Sequence, residues 1–203
     1  MLRRALLPLA AAAWLPLPAL AARTRVGEVT QLDGSAVALF SGEPPRTLAP
    51  AAPIMIEDLL STGPATRFAC RLEGGQELRL GENASLRVDR AALRGARPGT
   101  AIRNFGGAVL MDLPPAETGA RRGATTLTLP WAAIGVRGTR FFAGTLDGRN
   151  AVFVERGQVA VSAAGATAVL TEGEGVDVAE GGPPGPVTRW GAPRIARALA
   201  LVT

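Results

Sequence analysis

The sequence predicts an all-β protein, a single domain of many short, mostly antiparallel strands followed by a short C-terminal helix. Apolar and polar residues alternate with a period of two along much of the chain, which is the pattern of half-buried strands. Glycine, proline, asparagine and aspartate separate these runs at short intervals, as turns do in all-β folds. The length of 203 residues suits one domain with a substantial core. A sandwich or barrel-like roll is expected, with solenoid-like stacking of short β rungs as the alternative.

The first 21 residues have the features of a secretory signal peptide. Arg3 and Arg4 form a basic start, an apolar run rich in alanine and leucine follows, and Ala19-Leu20-Ala21 supplies a cleavage site. An uncleaved membrane anchor is the alternative, but prolines interrupt the run, and it is short for a span that needs about 20 apolar residues. We therefore expect cleavage before Ala22 or Arg23, and a mature chain in the periplasm or outside the cell without stable membrane insertion.

The mature chain opens with a predicted hairpin and a loop. Two alternating runs, residues 26–32 and 36–40, flank Asp33-Gly34, and an Asp-Gly pair between such runs is a strong hairpin pattern. Residues 41–53 are rich in proline and hold few polar side chains. They therefore predict a surface loop that carries no ligand site.

Residues 66–88 show the clearest alternation in the chain. Leu78 and Leu80 alternate with Glu77 and Arg79, which predicts a sheet with one buried and one solvated face. Nothing near Cys70 in the sequence would lower the pKa of its thiol, so we expect a buried, unreactive structural cysteine. The positions predicted to face the core are Phe68, Cys70, Leu72, Leu78, Leu80, Leu86 and Val88.

Short strands and turns continue to the end of the predicted domain. Pro114-Pro115 ends one strand, because a proline cannot donate to a sheet ladder. The predicted pieces are an irregular strand and loop at 91–107, strands at 108–113 and 127–129, an exposed loop tip at 117–123, and two last strands at 167–170 and 175–178.

The stretch from Ile134 to Val161 predicts a β-meander. Phe141 and Phe142 open one strand, and Val152 and Val154 share one face of the next. Arg156-Gly157 then turns the chain into a third strand.

Two glycines lead into this meander. Gly135 and Gly138 are three residues apart beside the β-branched Thr139, which predicts a bulge or a close chain crossing within a sheet. A phosphate-binding loop is the alternative, but such a loop leads from a strand into a helix, whereas these glycines lead into another strand.

These blocks resemble the FecR domain family. Residues 135–141 match the family's GxxGTxF-like block, and residues 152–159 match the strand pair that follows it. Residues 56–63 and 71–86 resemble two further blocks of the family, in the family's order, and the resemblance extends from about Val26 to Val178. The residues of the family motif, for which we expect a structural role, are Gly135, Gly138, Thr139, Phe141 and Gly157.

The composition changes after the predicted domain, residues 22–180. Residues 181–203 begin with Gly-Gly-Pro-Pro-Gly-Pro, which predicts a linker. Pro193 then starts a short amphipathic helix. Its apolar side, spaced as one helix face, consists of Ile195, Ala198, Leu199 and Val202. Covering an open end of the β domain is the expected role, and docking on a partner or a membrane is the alternative.

The composition excludes several kinds of chemistry. The chain has no histidine and one cysteine, which excludes a histidine general base, a cysteine–histidine zinc site and an internal disulfide. The net charge of +5 rests on scattered arginines, which favours a solvated basic surface over a nucleic-acid site. The tight carboxylate clusters are Glu57-Asp58 and Glu172 with Glu174. As solvated turn residues they are expected to have no catalytic, metal-binding or cofactor-binding role.

The first functional hypothesis is a non-enzymatic exported module that senses, scaffolds or binds an envelope protein or polymer. The resemblance implies a relation to inner-membrane regulators that relay the state of an outer-membrane transporter to an extracytoplasmic sigma factor. Such regulators carry a cytoplasmic segment ahead of a membrane span. Only Met1 to Arg4 precede the apolar run here, so we do not expect direct control of a sigma factor.

Two other hypotheses remain open. A cell-wall or polysaccharide-binding β domain would use several exposed aromatic residues, whereas the six phenylalanines mostly fall in strand patterns that bury them. An enzyme would depend on a carboxylate such as Asp58 or Glu174.

Overall fold

The computed structural model describes residues 23–92, 99–114, 124–136 and 138–203. In these residues the chain forms two stacked β-sheets and one helix, α1 (Ala192–Ala200). The strands are, in chain order, β1 (Arg25–Asp33), β2 (Ala36–Leu39), β3 (Arg46–Thr47), β4 (Pro53–Met55), β5 (Leu59–Thr62), β6 (Arg67–Leu72), β7 (Glu77–Leu80), β8 (Ser85–Ala92), β9 (Gly99–Gly106), β10 (Val109–Asp112), β11 (Ala124–Leu129), β12 (Ala132–Val136), β13 (Arg140–Leu146), β14 (Arg149–Arg156), β15 (Gln158–Ala163), β16 (Ala166–Thr171), β17 (Glu174–Val178) and β18 (Thr188–Arg189). The predicted all-β class is confirmed.

The two sheets form an open sandwich of nine strands each. The first sheet has the order β18-β17-β14-β13-β10-β7-β6-β1-β4, and the second sheet has the order β16-β15-β12-β11-β9-β8-β5-β2-β3. Neighbouring strands pair antiparallel, except that β9 and β11 pair parallel. The chain passes back and forth between the sheets while it advances from the β4 and β3 edges to the β18 and β16 edges. The architecture is therefore a sandwich with a stepwise, solenoid-like advance.

The predicted hairpin at Asp33-Gly34 is wrong. β1 lies in the first sheet and β2 in the second, so this turn carries the chain from one sheet to the other. The Ser35 N–H donates to Thr66 Oγ1 at 3.1 Å, and the Gly63 N–H donates to the Ser35 carbonyl at 2.9 Å. Two neighbouring crossings thus hold each other in place. The turn residues predict that the chain reverses here. They do not predict which strand the strand after the turn will pair with.

The predicted β-meander at residues 134–161 is also corrected. β13 and β14 do form a hairpin in the first sheet, from Arg140 to Arg156. After Gly157, however, β15 enters the second sheet and pairs with β12 and β16. The alternation of valines is the same on either sheet, so the pattern does not reveal this change.

The main hydrophobic core lies between the two sheets. It includes every position predicted to face inward over residues 66–88, among them Phe68, Leu80 and Leu86. Phe141 joins this core from β13. Burying each such side chain contributes roughly 1.5–3 kcal/mol relative to leaving it exposed, so the alternation of these strands also accounts for much of the stability of the sandwich.

A second, smaller core lies on the outer face of the first sheet. There α1 covers Leu110, Phe142 and Phe153, and Trp190 stacks on Phe153 with 5.0 Å between ring centroids. The predicted amphipathic helix is confirmed, with Ala198 buried. It covers a sheet face rather than an open end of the domain.

Other expectations are tested only in part. In the predicted surface loop at residues 41–53, Leu48 is buried, and its N–H donates to the Ala36 carbonyl at 2.9 Å. The irregular piece at 91–107 contains the regular strand β9. The signal peptide and the loop tip at 117–123 lie outside the described residues. Within the described part of the chain, α1 is too short to cross a bilayer, and no other helix qualifies.

Candidate functional site

Three residues of the predicted family motif, Gly138, Thr139 and Gly157, lie where the chain crosses between the sheets. Gly138 has a φ of +62° and connects β12 in the second sheet to β13 in the first. Gly157 has a φ of +86° and connects β14 back to β15 in the second sheet. Both values lie in the left-handed region that favours glycine. The two crossings run in opposite directions, side by side.

Thr139 joins these two crossings. Its buried hydroxyl donates to the Gln158 carbonyl at 2.8 Å, and the Gln158 N–H donates back to the same oxygen at 3.3 Å. A Cβ on Gly157 would lie 2.9 Å from the Gly138 carbonyl oxygen and 3.0 Å from Thr139 Oγ1. The absence of a side chain at Gly157 is therefore what allows the two chains to approach so closely.

The other two motif residues are placed differently. Phe141 is fully buried between the sheets. Gly135 lies exposed on β12, and a Cβ there would have no heavy atom within 4 Å. The structure thus brings Gly138, Thr139 and Gly157 together, places Phe141 in the core, and leaves Gly135 outside the group.

Asp58 is not the solvated turn residue that the sequence predicted. Its side chain is 1% exposed, and it accepts hydrogen bonds from Arg23 Nη2 at 2.7 Å, Arg46 Nη2 at 2.5 Å and the Met55 N–H at 2.9 Å. The Arg23 guanidinium also stacks on Phe40, 3.5 Å from the ring centroid. The carboxylate therefore ties the start of β1 to the β3–β5 region, and its oxygens are already occupied.

The second carboxylate cluster lies at the turn between β16 and β17. Glu174 accepts hydrogen bonds from the N–H and the hydroxyl of Thr171, each at 2.8 Å, and these bonds lower the pKa of its carboxyl. Glu172 is exposed. Among the described residues, three or more metal-ligating side chains do not come together anywhere.

A groove of about 460 Å³ lies between the β14 turn and the segment after β17. Its charged lining consists of Arg149, Asp177 and Glu180. Asp177 is held by Arg194 and lies 3.7 Å from Arg149, so the charges of this groove largely satisfy one another.

The outer face of the second sheet carries apolar, aromatic and basic side chains, whereas α1 covers part of the corresponding face of the first sheet. Leu39, Leu59, Arg87 and Arg103 are directly opposite one another on β2, β5, β8 and β9, and they form one row across this face. A depression of about 390 Å³ adjoins the row beside Phe40.

Phe105 lies beside this row and is 46% exposed. The guanidinium carbons of Arg87 and Arg103 lie 5.7 and 5.9 Å from its ring centroid. Asp89 bridges the same two arginines, at 2.5 Å from Arg87 Nε and 3.3 Å from Arg103 Nη2. We name Leu39, Leu59, Arg87, Arg103 and Phe105 the basic–aromatic row.

Sequence reasoning missed this surface because it expected the phenylalanines to be buried. The signal was nevertheless present. Arg103 and Phe105 are two residues apart on one strand and so share a face, while their neighbours Ile102 and Asn104 are buried on the other face. An aromatic residue in phase with an arginine is the pattern of an exposed aromatic.

Comparisons with known proteins agree with this fold. A family model described as FecR protein matches residues 58–160. Two crystal structures of a protein described as a "putative anti-sigma factor" from Parabacteroides distasonis ATCC 8503 share the fold, with TM-scores of 0.54 and 0.55 at 15% sequence identity. Each similarity covers 68% of this chain and 62% of that protein. None of the curated proteins matches the chain.

Proposed function

The chain belongs to the FecR protein family, and on this basis we propose that it is an exported, non-enzymatic interaction module of the cell envelope. In this proposal it acts in the periplasm or outside the cell, where it senses or scaffolds an envelope protein, with envelope signalling as the process it serves. The similarity to a protein described as a putative anti-sigma factor supports a regulatory role.

The observation that carries the proposal is the exposure of Phe105 in the basic–aromatic row. Exposed aromatic and arginine side chains are enriched where proteins bind one another, because they bury a large area and keep a polar contact. Leu39 and Leu59 extend the apolar part of the row toward the depression beside Phe40. A partner segment with an apolar side chain and a carboxylate would complement this surface.

Site-specific photo-crosslinking in the cell tests this proposal. A crosslinking amino acid at position 105 is expected to give one discrete product with an envelope protein, and Arg103→Glu should abolish that product. The same amino acid at Thr145, which is exposed on β13 of the first sheet, is the control and should give none. Equal products from both positions, or none from position 105, would contradict the proposal.

A cell-wall or polysaccharide-binding domain is the second candidate, and the same row favours it. Guanidinium groups beside an aromatic ring suit a polymer that carries carboxylates or phosphates. Co-sedimentation with purified peptidoglycan and with an anionic polysaccharide distinguishes the two. The polymer would be favoured if the wild-type protein co-sediments with it, if Phe105→Ser and Arg103→Gln each abolish that co-sedimentation, and if position 105 gives no protein crosslink.

Export is tested separately from binding. The signal peptide predicts a mature N-terminus at Ala22 or Arg23 in protein from the periplasmic or extracellular fraction. N-terminal sequencing of that material checks this, and an intact Met1 on membrane-bound protein would show that the segment is not removed.

A further inference from the structure

We propose that β16 pairs antiparallel with β16 of a second copy of this chain, so that the second sheet continues across two molecules. This inference is independent of the envelope partner proposed above. It rests on the edge strands of the sheets and on the hydrogen bonds along β16.

Three of the four sheet edges in the described residues are blunted. β3 and β18 are two residues long, and β4 is three residues long and begins with Pro53. Short edge strands and edge prolines are the usual means by which a protein prevents its sheet from pairing with another chain. The fourth edge, β16, has six residues, Ala-Thr-Ala-Val-Leu-Thr, with no charge and no proline. It has none of these protections.

The hydrogen bonds along β16 show which groups face outward. Thr171 lies opposite Gln158 of β15, yet its N–H donates to Glu174 Oε2 at 2.8 Å rather than to β15. Backbone groups alternate between the two sides of an antiparallel strand. Thr167 and Val169 therefore direct their N–H and carbonyl groups away from β15 as well. Val169 is also 51% exposed, and among the described residues no strand pairs with β16 on that side.

Glu174 determines the register of the pairing. Because its carboxylate occupies the N–H and the hydroxyl of Thr171, the residues left with outward groups are Thr167 and Val169. An antiparallel pair centred on Ala168 uses both. It places Thr167 of each copy opposite Val169 of the other and Ala168 opposite Ala168. Each Thr167–Val169 pair would exchange two hydrogen bonds, which makes four in all.

The strand suits a copy of itself better than an unrelated segment. A two-fold axis brings the same residues of both copies close together. Because β16 carries no charge, such a pair brings no like charges together. The residues in line with Val169 on the neighbouring strands are Ala160, Gly135 and Thr126, so this part of the outer face carries no charge either. Val169 and Thr167 also form favourable cross-strand neighbours on that face.

Cysteine crosslinking of the mature chain tests the register. Residues directly opposite in a non-hydrogen-bonded antiparallel pair have Cα atoms about 4.5 Å apart, which a disulfide can span. Ala168→Cys is therefore expected to give a covalent dimer under mild oxidation. The native Cys70 is fully buried and so does not interfere. Thr126→Cys, exposed on the outer face of the same sheet and away from the edge, is the control and should stay monomeric.

Analytical ultracentrifugation tests the interface without a crosslink. The wild-type chain should dimerise reversibly, and Val169→Lys should weaken association by about tenfold or more, because the two-fold axis brings the two charges together. Val169→Pro should do the same, because it removes an outward N–H and leaves the β15 ladder intact. Thr126→Lys adds the same charge elsewhere on the face and should dimerise as the wild type does.

Three results would overturn the proposal. The first is a wild-type chain that remains monomeric at the highest concentration it tolerates. The second is Val169→Lys dimerising as tightly as Thr126→Lys, which would place the interface elsewhere. The third is Thr126→Cys crosslinking as quickly as Ala168→Cys. Thermal unfolding of each variant, followed by circular dichroism, shows whether a lost dimer reflects a lost fold.

Discussion

Thr139 and Gln158 exchange a pair of hydrogen bonds at the point where two crossings between the sheets run side by side. The threonine hydroxyl donates to the Gln158 carbonyl at 2.8 Å and accepts from the Gln158 N–H at 3.3 Å. Both backbone groups belong to a chain that has just left one sheet and entered the other. The hydroxyl therefore takes the place of the ladder bonds that a crossing segment cannot make.

Thr139→Val should consequently lower the free energy of unfolding. Valine has the same shape but leaves the Gln158 N–H and carbonyl without this partner in a partly buried setting, which costs up to about 1–3 kcal/mol. Urea unfolding measures the change. Thr126→Val is the matched control, because Thr126 is exposed on β11, and its effect should stay within about 0.5 kcal/mol. Equal effects at the two positions would show that the hydroxyl of Thr139 does not hold the crossings.

Gly138→Val and Gly135→Val should differ sharply. Gly138 has a φ of +62°, which a β-branched residue adopts at a cost of about 1–3 kcal/mol. From the sequence alone, Gly135→Val is expected to destabilise the domain too, though less severely. The structure changes this expectation, because a side chain there enters open space on β12, and valine favours strands.

The measurement is thermal unfolding of both variants, with binding to the crosslinked partner assayed alongside. A large fall in Tm for Gly138→Val and almost none for Gly135→Val is expected. If Gly138→Val kept the wild-type Tm but lost binding, the motif would be a recognition site rather than a structural crossing.

Asp58→Asn should destabilise the N-terminal part of the sandwich. The substitution keeps the shape but removes the charge that pairs with Arg23 and Arg46, and hydrogen bonds to charged groups contribute about 1.5–3 kcal/mol. Glu28→Gln is the control, since Glu28 pairs with Arg25 on the exposed surface, where such pairs contribute about 0–1 kcal/mol. Urea unfolding that gives the same small change for both would contradict the role assigned to Asp58.

Cys70 should make stability depend on pH in the alkaline range. Burial, with a smaller contribution from the charge of Glu77, raises the pKa of its thiol from 9.0 to about 12. In the unfolded chain the thiol releases its proton above its ordinary pKa, whereas in the folded chain it cannot. The free energy of unfolding should therefore fall by about 1.4 kcal/mol per pH unit between about pH 9 and pH 12.

This chain suits the measurement, because it has no tyrosine, and its sequence contains no lysine that would titrate in the same range. Urea unfolding across that range gives the slope. Cys70→Ala should reduce this slope to near zero. The cavity that the substitution leaves lowers the free energy of unfolding at every pH and so does not affect the slope. An unchanged slope in the variant would assign the pH dependence to another group. Slow labelling of the folded wild type by a thiol reagent is expected for the same reason.

The sequence by itself determined which side is buried in the strands with the clearest alternation. Phe68, Leu78 and Leu86 are in phase with a period of two, and the hydrophobic effect places such positions inward whichever sheet the strand joins. The apolar face of α1 follows in the same way from its spacing. The family blocks, likewise, are local runs of residues that need no tertiary contact to be found.

The tertiary structure alone decided which strands pair. Alternation gives a strand its two faces but not its neighbours, so Asp33-Gly34 and Gly157 could be recognised as turns but not as crossings between sheets. The buried Asp58 is paired with Arg23, which lies 35 residues earlier in the chain, and with Arg46. Phe105 is exposed because none of the described elements packs over it, whereas α1 packs over part of the first sheet. Each of these outcomes depends on contacts between residues far apart in sequence, and a local sequence pattern does not predict such contacts.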